Sequence, residues 1–426
     1  MRIEELYSIF QQYPSVQTDT RQLKTGDIFF ALKGPHFNGN HFVAKAFELG
    51  AAYAIIDEAT AMLDNRTILV EDVLETLQDL ARYHRQQLSI PFLAITGSNG
   101  KTTTKELIHA VLSTTFNTYT TTGNLNNHIG VPLTLLKIRN DAEMAVIEMG
   151  ANHQQEIASY CRVALPTHGL ITNCGKAHLE GFGGEEGVRK GKGELFDFLR
   201  ENNGAAFIMK DYDYLQHMSR QIKEIYTYGT TDGNIVGTAV ASDPFLLTRF
   251  TKGFAGDITS QLVGSYNLPN ILAAVAVGKY FKIDDEKIRT AIETYTPTNS
   301  RSQLVQRGSN TIILDAYNAN PSSMKLAIEN FAKTQARNKI LVLGAMAELG
   351  AESLEEHRQL VEEIKKHQWK EVLLVGGDFM KINHPFHAIH QAEEAGKWLQ
   401  EQGLSDTHFL LKGSRSTGME KVLDFI

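Results

Sequence analysis

Residues 92–107, FLAITGSNGKTTTKEL, place a hydrophobic run, two glycines, one lysine and three threonines in front of a helical pattern. These residue types suit a phosphate. Gly97 and Gly100 let the backbone approach oxygen atoms, while successive N–H groups through Ser98 and Asn99 and a helix N-terminus attract anions. Lys101 can reach β- and γ-phosphates, Thr103 lines the same cradle, and Thr102 offers a hydroxyl to Mg²⁺. The general GxxxxGK[ST] pattern has a glycine at position 95, where this chain has Ile95. A glycine-rich strand-to-helix turn with an exposed lysine is the competing reading.

Such a loop needs a strand before it and a helix after it. In the segment that comes next, Leu107 and Val111, and Ile108 and Leu112, pair at i and i+4 and give an apolar stripe for packing on a sheet. FLAITG, MAVIEMG and THGLITN read as buried strands alternating with helices, GELFDFL restarting one, which predicts a doubly wound, mostly parallel sheet. Upstream, from Gln17 to Arg85, DIFFALKG, AAYAIIDE and RTILVED alternate with the helical patterns HFVAKAFELG and VLETLQDLARYHRQQL, and SIPF reads as a linker. From Asp211 to Gly264 the pattern loosens into short strands, and ETYTPTNSRSQ has the composition of a hinge. Beyond it TIILDAYNANP, KILVLGAMAEL and EVLLVGGDF are three further strand candidates. The expectation is an α/β protein of three domains: a small N-terminal unit over 1–87, a central P-loop ATPase-like domain over 88–298 and a Rossmann-like C-terminal domain over 299–426.

Composition narrows the partners. The chain has 426 residues, is 42% hydrophobic and carries a formal net charge of −7, which argues against a broad basic face for nucleic acid. No apolar run reaches the roughly 20 residues that span a bilayer, and the N-terminal MRIEELYSIFQQYPSVQ lacks the apolar core of a signal peptide. Cys161 and Cys174 are the only cysteines and have no CxxC spacing, which suits a reducing compartment. The reading is a cytoplasmic protein acting on small molecules, without membrane insertion, as a monomer.

Several segments resemble the Mur ligases, the cytoplasmic amide-forming enzymes of peptidoglycan synthesis. TGSNGKTTTKE is similar to their ATP loop, and TTGNLNNHIGVPLTLL, IEMGANHQQEI, ITNCGKAHLEGFGGEEGVRKGKGEL, LDAYNANPSS, LGAMAELG and KGSR come after it in family order across nearly the whole chain. GNLNNHIGVPLTLL and YNANP look like the member that joins D-alanyl-D-alanine to UDP-N-acetylmuramoyl-tripeptide. The DNPR segment of the diaminopimelate- or lysine-adding member does not occur.

The resemblance implies roles residue by residue. Glu148, at a strand end where open α/β sheets put ligands, is on its own as readily a solvated glutamate; the family makes it an Mg²⁺ ligand with Thr102. His178 matches a family metal-ligand histidine, though a lone histidine is more often polar surface. Lys190 and Lys192 read as solvated helix-start lysines, but Lys192 aligns with the lysine that Mur ligases carbamylate, an anionic oxygen ligand for a second Mg²⁺. Arg189 and Gly191 stand where the family has alanines. In GSYNLPN, Asn267 and Asn270 match ATP base contacts, Tyr266 replaces the usual histidine, and a helix-capping asparagine is the alternative for Asn270. Arg301 matches an arginine reaching toward the phosphates, and Asp315 a ribose hydroxyl acceptor, with Tyr317, Asn318 and Asn320 on the same loop; an Asx turn before Pro321 is the alternative for the two asparagines. At the N-terminus TDTRQLKTGDIFFALKG resembles the UDP-binding segment, so Thr20 and Arg21 would contact substrate, as would Asn124, Asn126 and Asn127; Gly26, Gly34 and Gly39 read as turn residues.

Together these residues imply an ATP-dependent carboxylate-amine ligase working through an acyl phosphate, with Lys101, Arg301, His178 and Lys192 as the catalytic groups and ATP and Mg²⁺ as cofactors. A different Mur ligase, a folylpolyglutamate synthetase, or an ATP-hydrolysing switch protein are the other readings.

Overall fold

The computed structural model describes residues 1–298 and 300–426, so the expected division at 298/299 touches Asn299, outside the described residues. Three main sheets organise the chain. The first has four parallel strands in the order Val16–Gln17, Ile28–Phe30, Tyr53–Ile56 and Thr67–Leu69. The expected runs supply its last three strands; the edge strand Val16–Gln17 is two residues long and carries no pattern to read.

The central sheet has nine strands. Thr118–Thr120, Met144–Glu148, Phe92–Thr96, His168–Ile171, Ala205–Met209, Glu224–Gly229 and Ile235–Ser242 run parallel in that order, and Phe245–Lys252 and Asp257–Val263 add antiparallel. The stretch expected to loosen into short strands therefore extends this same sheet with strands of eight, eight and seven residues. Phe92, Leu93, Ala94 and Ile95 are fully buried, and burial of each large apolar side chain stabilises by about 1.5–3 kcal/mol. From the neighbouring strand Met144–Glu148 the chain crosses to His168–Ile171 on the opposite side of Phe92–Thr96. The strand carrying the loop is thus a topological switch point, where crevices open at the carboxyl ends.

The C-terminal sheet has six strands, in the order Gln303–Arg307, Asn310–Asp315, Thr407–Lys412, Asn338–Gly344, Glu371–Val375 and His387–Ile389, all parallel except the first. Three of these were expected. Thr407–Lys412 lies inside the sheet and was missed because its apolar run, FLL, is only three residues long.

Buried polar groups join the units. Arg85, on the helix Val73–Gln86, donates from Nε to Ala164 O at 3.0 Å, from Nη2 to Leu165 O at 3.0 Å and from Nη1 to Leu88 O at 2.7 Å, with its guanidinium 3.7 Å from the Phe92 ring centroid. It therefore satisfies the last carbonyls of the helix Glu156–Ala164, a favourable place for a cation. Burial pulls its pKa down to about 10, so it stays charged at neutral pH. The C-terminal unit is tied on by Tyr266 Oη to Ser302 Oγ at 3.0 Å and by Ser265 N–H to Asn330 Oδ1 at 3.1 Å. Replacing Arg85 with methionine leaves those carbonyls without a donor, at about 1–3 kcal/mol each for a buried group; a urea titration should place the first unfolding transition of Arg85→Met at clearly lower denaturant than that of the wild type.

Candidate active site

The loop works because two of its positions have no room for a side chain. Gly97 has φ of +143°, and a Cβ there would lie 2.0 Å from Thr172 Oγ1; Gly100 has φ of +80°, and its Cβ would meet Asn270 Oδ1 at 2.6 Å. Ile95 is strand core, opposite Glu148, so the turn is made by residues 97–100 and needs no glycine at 95. Ser98 N–H donates to Asn173 O at 2.9 Å, Asn99 N–H to Asn173 Oδ1 at 3.0 Å, and Ser98 Oγ to Gly175 O at 2.8 Å. These two residues hold the loop's shape. The anion-facing role falls to the first-turn N–H groups of the helix Lys101–Ser113, Thr102 and Thr103 among them, since its N-cap, Gly100, brings no capping side chain.

Lys101 folds onto its own loop, donating from Nζ to Gly97 O at 2.7 Å and Ser98 O at 3.3 Å. Burial pushes its pKa down; Glu148 pulls it up and Arg301 pushes it further down. These three charged groups therefore share one site. Glu148 ends its strand 2% exposed, with Oε1 accepting from Asn126 Nδ2 at 2.8 Å and the buried Oε2 without a partner. It is not a solvated strand-end glutamate. Lys105, passed over in the sequence, is fully buried and donates to Thr121 O at 2.6 Å, and Thr121 Oγ1 accepts the Glu148 N–H at 3.0 Å. It fastens the backbone that carries the carboxylate; its only signal was a lysine on the first turns of a packed helix.

Lys192 corrects the reading of a solvated helix-start lysine. The helix runs Glu185–Glu201, so Lys192 is in its middle, 1% exposed, donating to Ala151 O at 2.9 Å with Nζ 4.8 Å from the Phe182 ring centroid. Gly191 fits this packing, because a Cβ there would meet the Phe182 ring at 2.5 Å. Lys190 is the exposed lysine of the two. Burial, reinforced by repulsion from Lys101, pushes the Lys192 amine down to about 7.

His178 lies beyond the strand His168–Ile171 and faces the C-terminal unit, Nδ1 being 2.6 Å from Glu348 Oε2, with the carboxylate off the N–H direction. The contact holds the Glu348 carboxyl below the usual range, against the effect of burial. Arg301 lies 3.5 Å from the Tyr317 ring centroid, with Nε buried and unpartnered. Asp315 Oδ2 pairs with Lys412 Nζ at 2.6 Å, and Oδ1 accepts the Ser302 N–H at 3.1 Å. Asn320 caps the helix Pro321–Lys333 and donates from Nδ2 to Asn99 Oδ1 at 2.7 Å. Asn318 accepts the Ala319 N–H at 2.9 Å.

Other expected contacts lie deeper or farther out. Asn267 donates to Val263 O at 2.9 Å; Asn270 donates to Asn267 Oδ1 at 2.8 Å and accepts from Thr104 Oγ1 at 3.0 Å. Both asparagines brace the loop's helix against the helix Leu268–Tyr280. Thr20 sits in a short 3₁₀ turn, and Arg21, exposed, is held by Asp19 through Nη2 to Oδ2 at 2.7 Å. Asn124 is exposed, and Asn127 Oδ1 accepts the Gly130 N–H at 2.8 Å. A cleft of about 440 Å³, unannounced in the sequence, opens along the carboxyl edge of the C-terminal sheet between Met346, Gly376, Gly377, His390, Thr417 and Lys421.

The donor set fits Mg²⁺. The unpartnered Glu148 Oε2 and the buried Thr102 hydroxyl are hard oxygen donors, the type Mg²⁺ takes alongside phosphate oxygens.

Three family models match the chain: "Mur ligase family, catalytic domain" over residues 12–85, "Mur ligase middle domain" over 95–278 and "Mur ligase, glutamate ligase domain" over 300–415. Among curated relatives, the UDP-N-acetylmuramoyl-tripeptide–D-alanyl-D-alanine ligase of Bacillus subtilis is 40% identical over 79% of this chain and 74% of its own length. That of Escherichia coli is 36% identical over 96% and 92%. The crystal structure of MurF ligase from Thermotoga maritima in complex with ADP superposes with a TM-score of 0.87 at 27% identity, covering 96% of each chain.

Lys192 makes the fold sensitive to pH. In the unfolded chain its amine titrates near 10.4, in the folded protein near 7, so between those values the unfolded state binds more protons and stability rises with pH. In CO₂-free buffer, denaturant titrations should give a steeper rise in stability from pH 7 to pH 10 for the wild type than for Lys192→Met.

Proposed function

The chain belongs to the Mur ligase family, and from that premise we propose how its residues carry the reaction. It is an ATP-dependent ligase of peptidoglycan synthesis that joins D-alanyl-D-alanine to UDP-N-acetylmuramoyl-tripeptide. One observation supports the mechanistic reading: half-buried Lys101 and buried Glu148 and Lys192 gather at one carboxyl edge of the central sheet, each with less partnering than its charge calls for.

The tripeptide's terminal carboxylate attacks the γ-phosphorus of ATP, the bond to the β,γ-bridging oxygen breaks, and ADP leaves. The amine of the dipeptide then attacks the acyl carbon, phosphate departs with the bonding electrons, and the amine nitrogen gives up a proton. Lys101 exchanges its loop carbonyls for β- and γ-phosphate oxygens, and Arg301 neutralises charge on the transferring group. Thr102, Glu148, His178 and a carbamylated Lys192 would hold Mg²⁺, which when bound screens the phosphate charge. Carbamate forms from a neutral amine and CO₂ with loss of a proton, and an amine lowered to about 7 has a large neutral fraction at physiological pH. Asp315 is a ribose acceptor with lone pairs to spare, because a carboxylate offers about four acceptor positions. Tyr317 and Asn320 line the same nucleotide edge, Asn267 and Asn270 support it from behind, and Asn124, Asn126 and Asn127 with Thr20 and Arg21 face the UDP-linked substrate.

No helix is long and apolar enough to cross a membrane among the described residues. We expect phosphate release to require both the UDP-linked tripeptide and the dipeptide, with the joined product visible by mass spectrometry; equal release from ATP alone would mean a switch protein instead. Lys192→Ala should lower turnover on the order of a hundredfold. Bicarbonate should not restore it, whereas short carboxylic acids should in part, and an unchanged rate would end the carbamate assignment.

A further inference from the structure

We infer that Glu348 is a positioning residue for His178, so that the histidine arm of the metal site is set only while the C-terminal unit is docked on the central one. The inference rests on the metal role proposed above for His178. It begins from two backbone outliers. His178 has φ of +52° and Glu348 has φ of +62°, and residues other than glycine hold such values only where the surroundings enforce them. One lies on the segment after the central strand His168–Ile171, the other on the segment after the C-terminal strand Asn338–Gly344. Their side chains meet across the boundary, His178 Nδ1 to Glu348 Oε2 at 2.6 Å.

The neighbouring contacts make that meeting depend on docking. Lys176 Nζ pairs with the buried Glu356 at 2.6 Å, and Lys176 N–H donates to Ser322 Oγ at 3.1 Å. At Gly350, with φ of +55°, a Cβ would stand 3.1 Å from the Glu180 Cβ. The 176–180 segment is thus seated on the C-terminal unit at four places: Ser322, Glu348, Gly350 and Glu356.

A histidine that ligates a metal through one ring nitrogen commonly gives its other N–H to a carboxylate, which fixes the tautomer and the ring's direction. Glu348 Oε2 stands 2.6 Å from Nδ1 but off its N–H line, so the carboxylate favours the proton on Nδ1 through its charge rather than through a formed hydrogen bond, and Nε2 is the nitrogen left for the metal. Withdrawal of the C-terminal unit would carry Glu348 away and free the imidazole to rotate. Phosphoryl transfer would then wait on the C-terminal unit, and ATP would be protected from water until it docks. The alternative is a latch that holds the two units together and does nothing for the metal.

Mn²⁺ titrations followed by electron paramagnetic resonance separate these ideas, using the full chain with a non-hydrolysable ATP analogue. Glu348→Gln should weaken Mn²⁺ binding about tenfold and lower kcat with KM for the UDP-linked tripeptide within about twofold. In a His178→Ala background the same change should have no further effect on Mn²⁺. Glu348→Asn, which tolerates positive φ and is one methylene shorter, should match Glu348→Gln and serves if the latter does not fold. Wild-type Mn²⁺ affinity in either variant, or a loss that adds in full to that of His178→Ala, overturns the inference and leaves the latch. If His178→Ala itself binds Mn²⁺ like the wild type, the metal role of His178 fails and the inference with it. The ligase reading is judged separately, by product formation when the same wild-type preparation is given ATP, the UDP-linked tripeptide and the dipeptide.

Discussion

Within four residues the chain must leave a strand buried between two neighbours and enter a helix, and it must do so between the Thr172 hydroxyl and the Asn270 amide. Gly97 and Gly100 are the only positions where the backbone takes up that conformation, at φ values and distances a Cβ could not share. Everything else is arranged around the turn. The segment 172–175 grips it through Thr172, Asn173 and Gly175, and Thr104 ties its helix to Asn270. Because the strand Phe92–Thr96 lies at the switch point, the same edge also receives the ends of both neighbouring strands, one bringing Glu148 and the other the segment with His178.

The fold holds several charges in unfavourable states to keep that edge ready. Lys101 is satisfied only by carbonyls of its own loop, Lys192 by a single carbonyl and an aromatic face, and Glu148 through one oxygen of two. A buried oxygen left unpartnered like that of Glu148 costs on the order of 1–3 kcal/mol, and each lysine has fewer acceptors than an ammonium can use. A fold selected for stability alone would not keep three together, and their clustering is the physical reason to read the edge as a reaction site rather than as packing.

Much of this was legible in the sequence, for reasons that differ residue by residue. The loop, its strand and its helix follow from periodicity and glycine spacing, and the central sheet from repeated apolar runs. Lys192 was not legible from composition, since a lysine among glycines reads as solvent-facing; only the segment's resemblance marked it, and its burial depends on Phe182 and Ala151 from elsewhere in the chain. Lys105 was hidden because a lysine beside Glu106 reads as a surface ion pair, whereas its amine also reaches the backbone carbonyl of Thr121. Thr407–Lys412 was hidden because its apolar run, FLL, is only three residues long. Asn267 and Asn270 had the right neighbourhood, yet their amides turn inward, a choice set by the packing of two helices that no local pattern encodes.

The C-terminal unit completes the site through charge as well as shape. Asp315 is held by Lys412 and by the Ser302 N–H, which fixes its carboxylate in one orientation at the sheet's edge. Next to Ser302 in sequence, Arg301 spreads over Tyr317 and is close enough to Lys101 to repel it. Docking this unit therefore brings one cation toward another in a poorly hydrated crevice, at an electrostatic cost. On the proposed reading, triphosphate charge lying between Lys101 and Arg301 would reverse the sign of that interaction. Nucleotide binding and domain docking would then favour each other, and by reciprocity whatever strengthened one would strengthen the other.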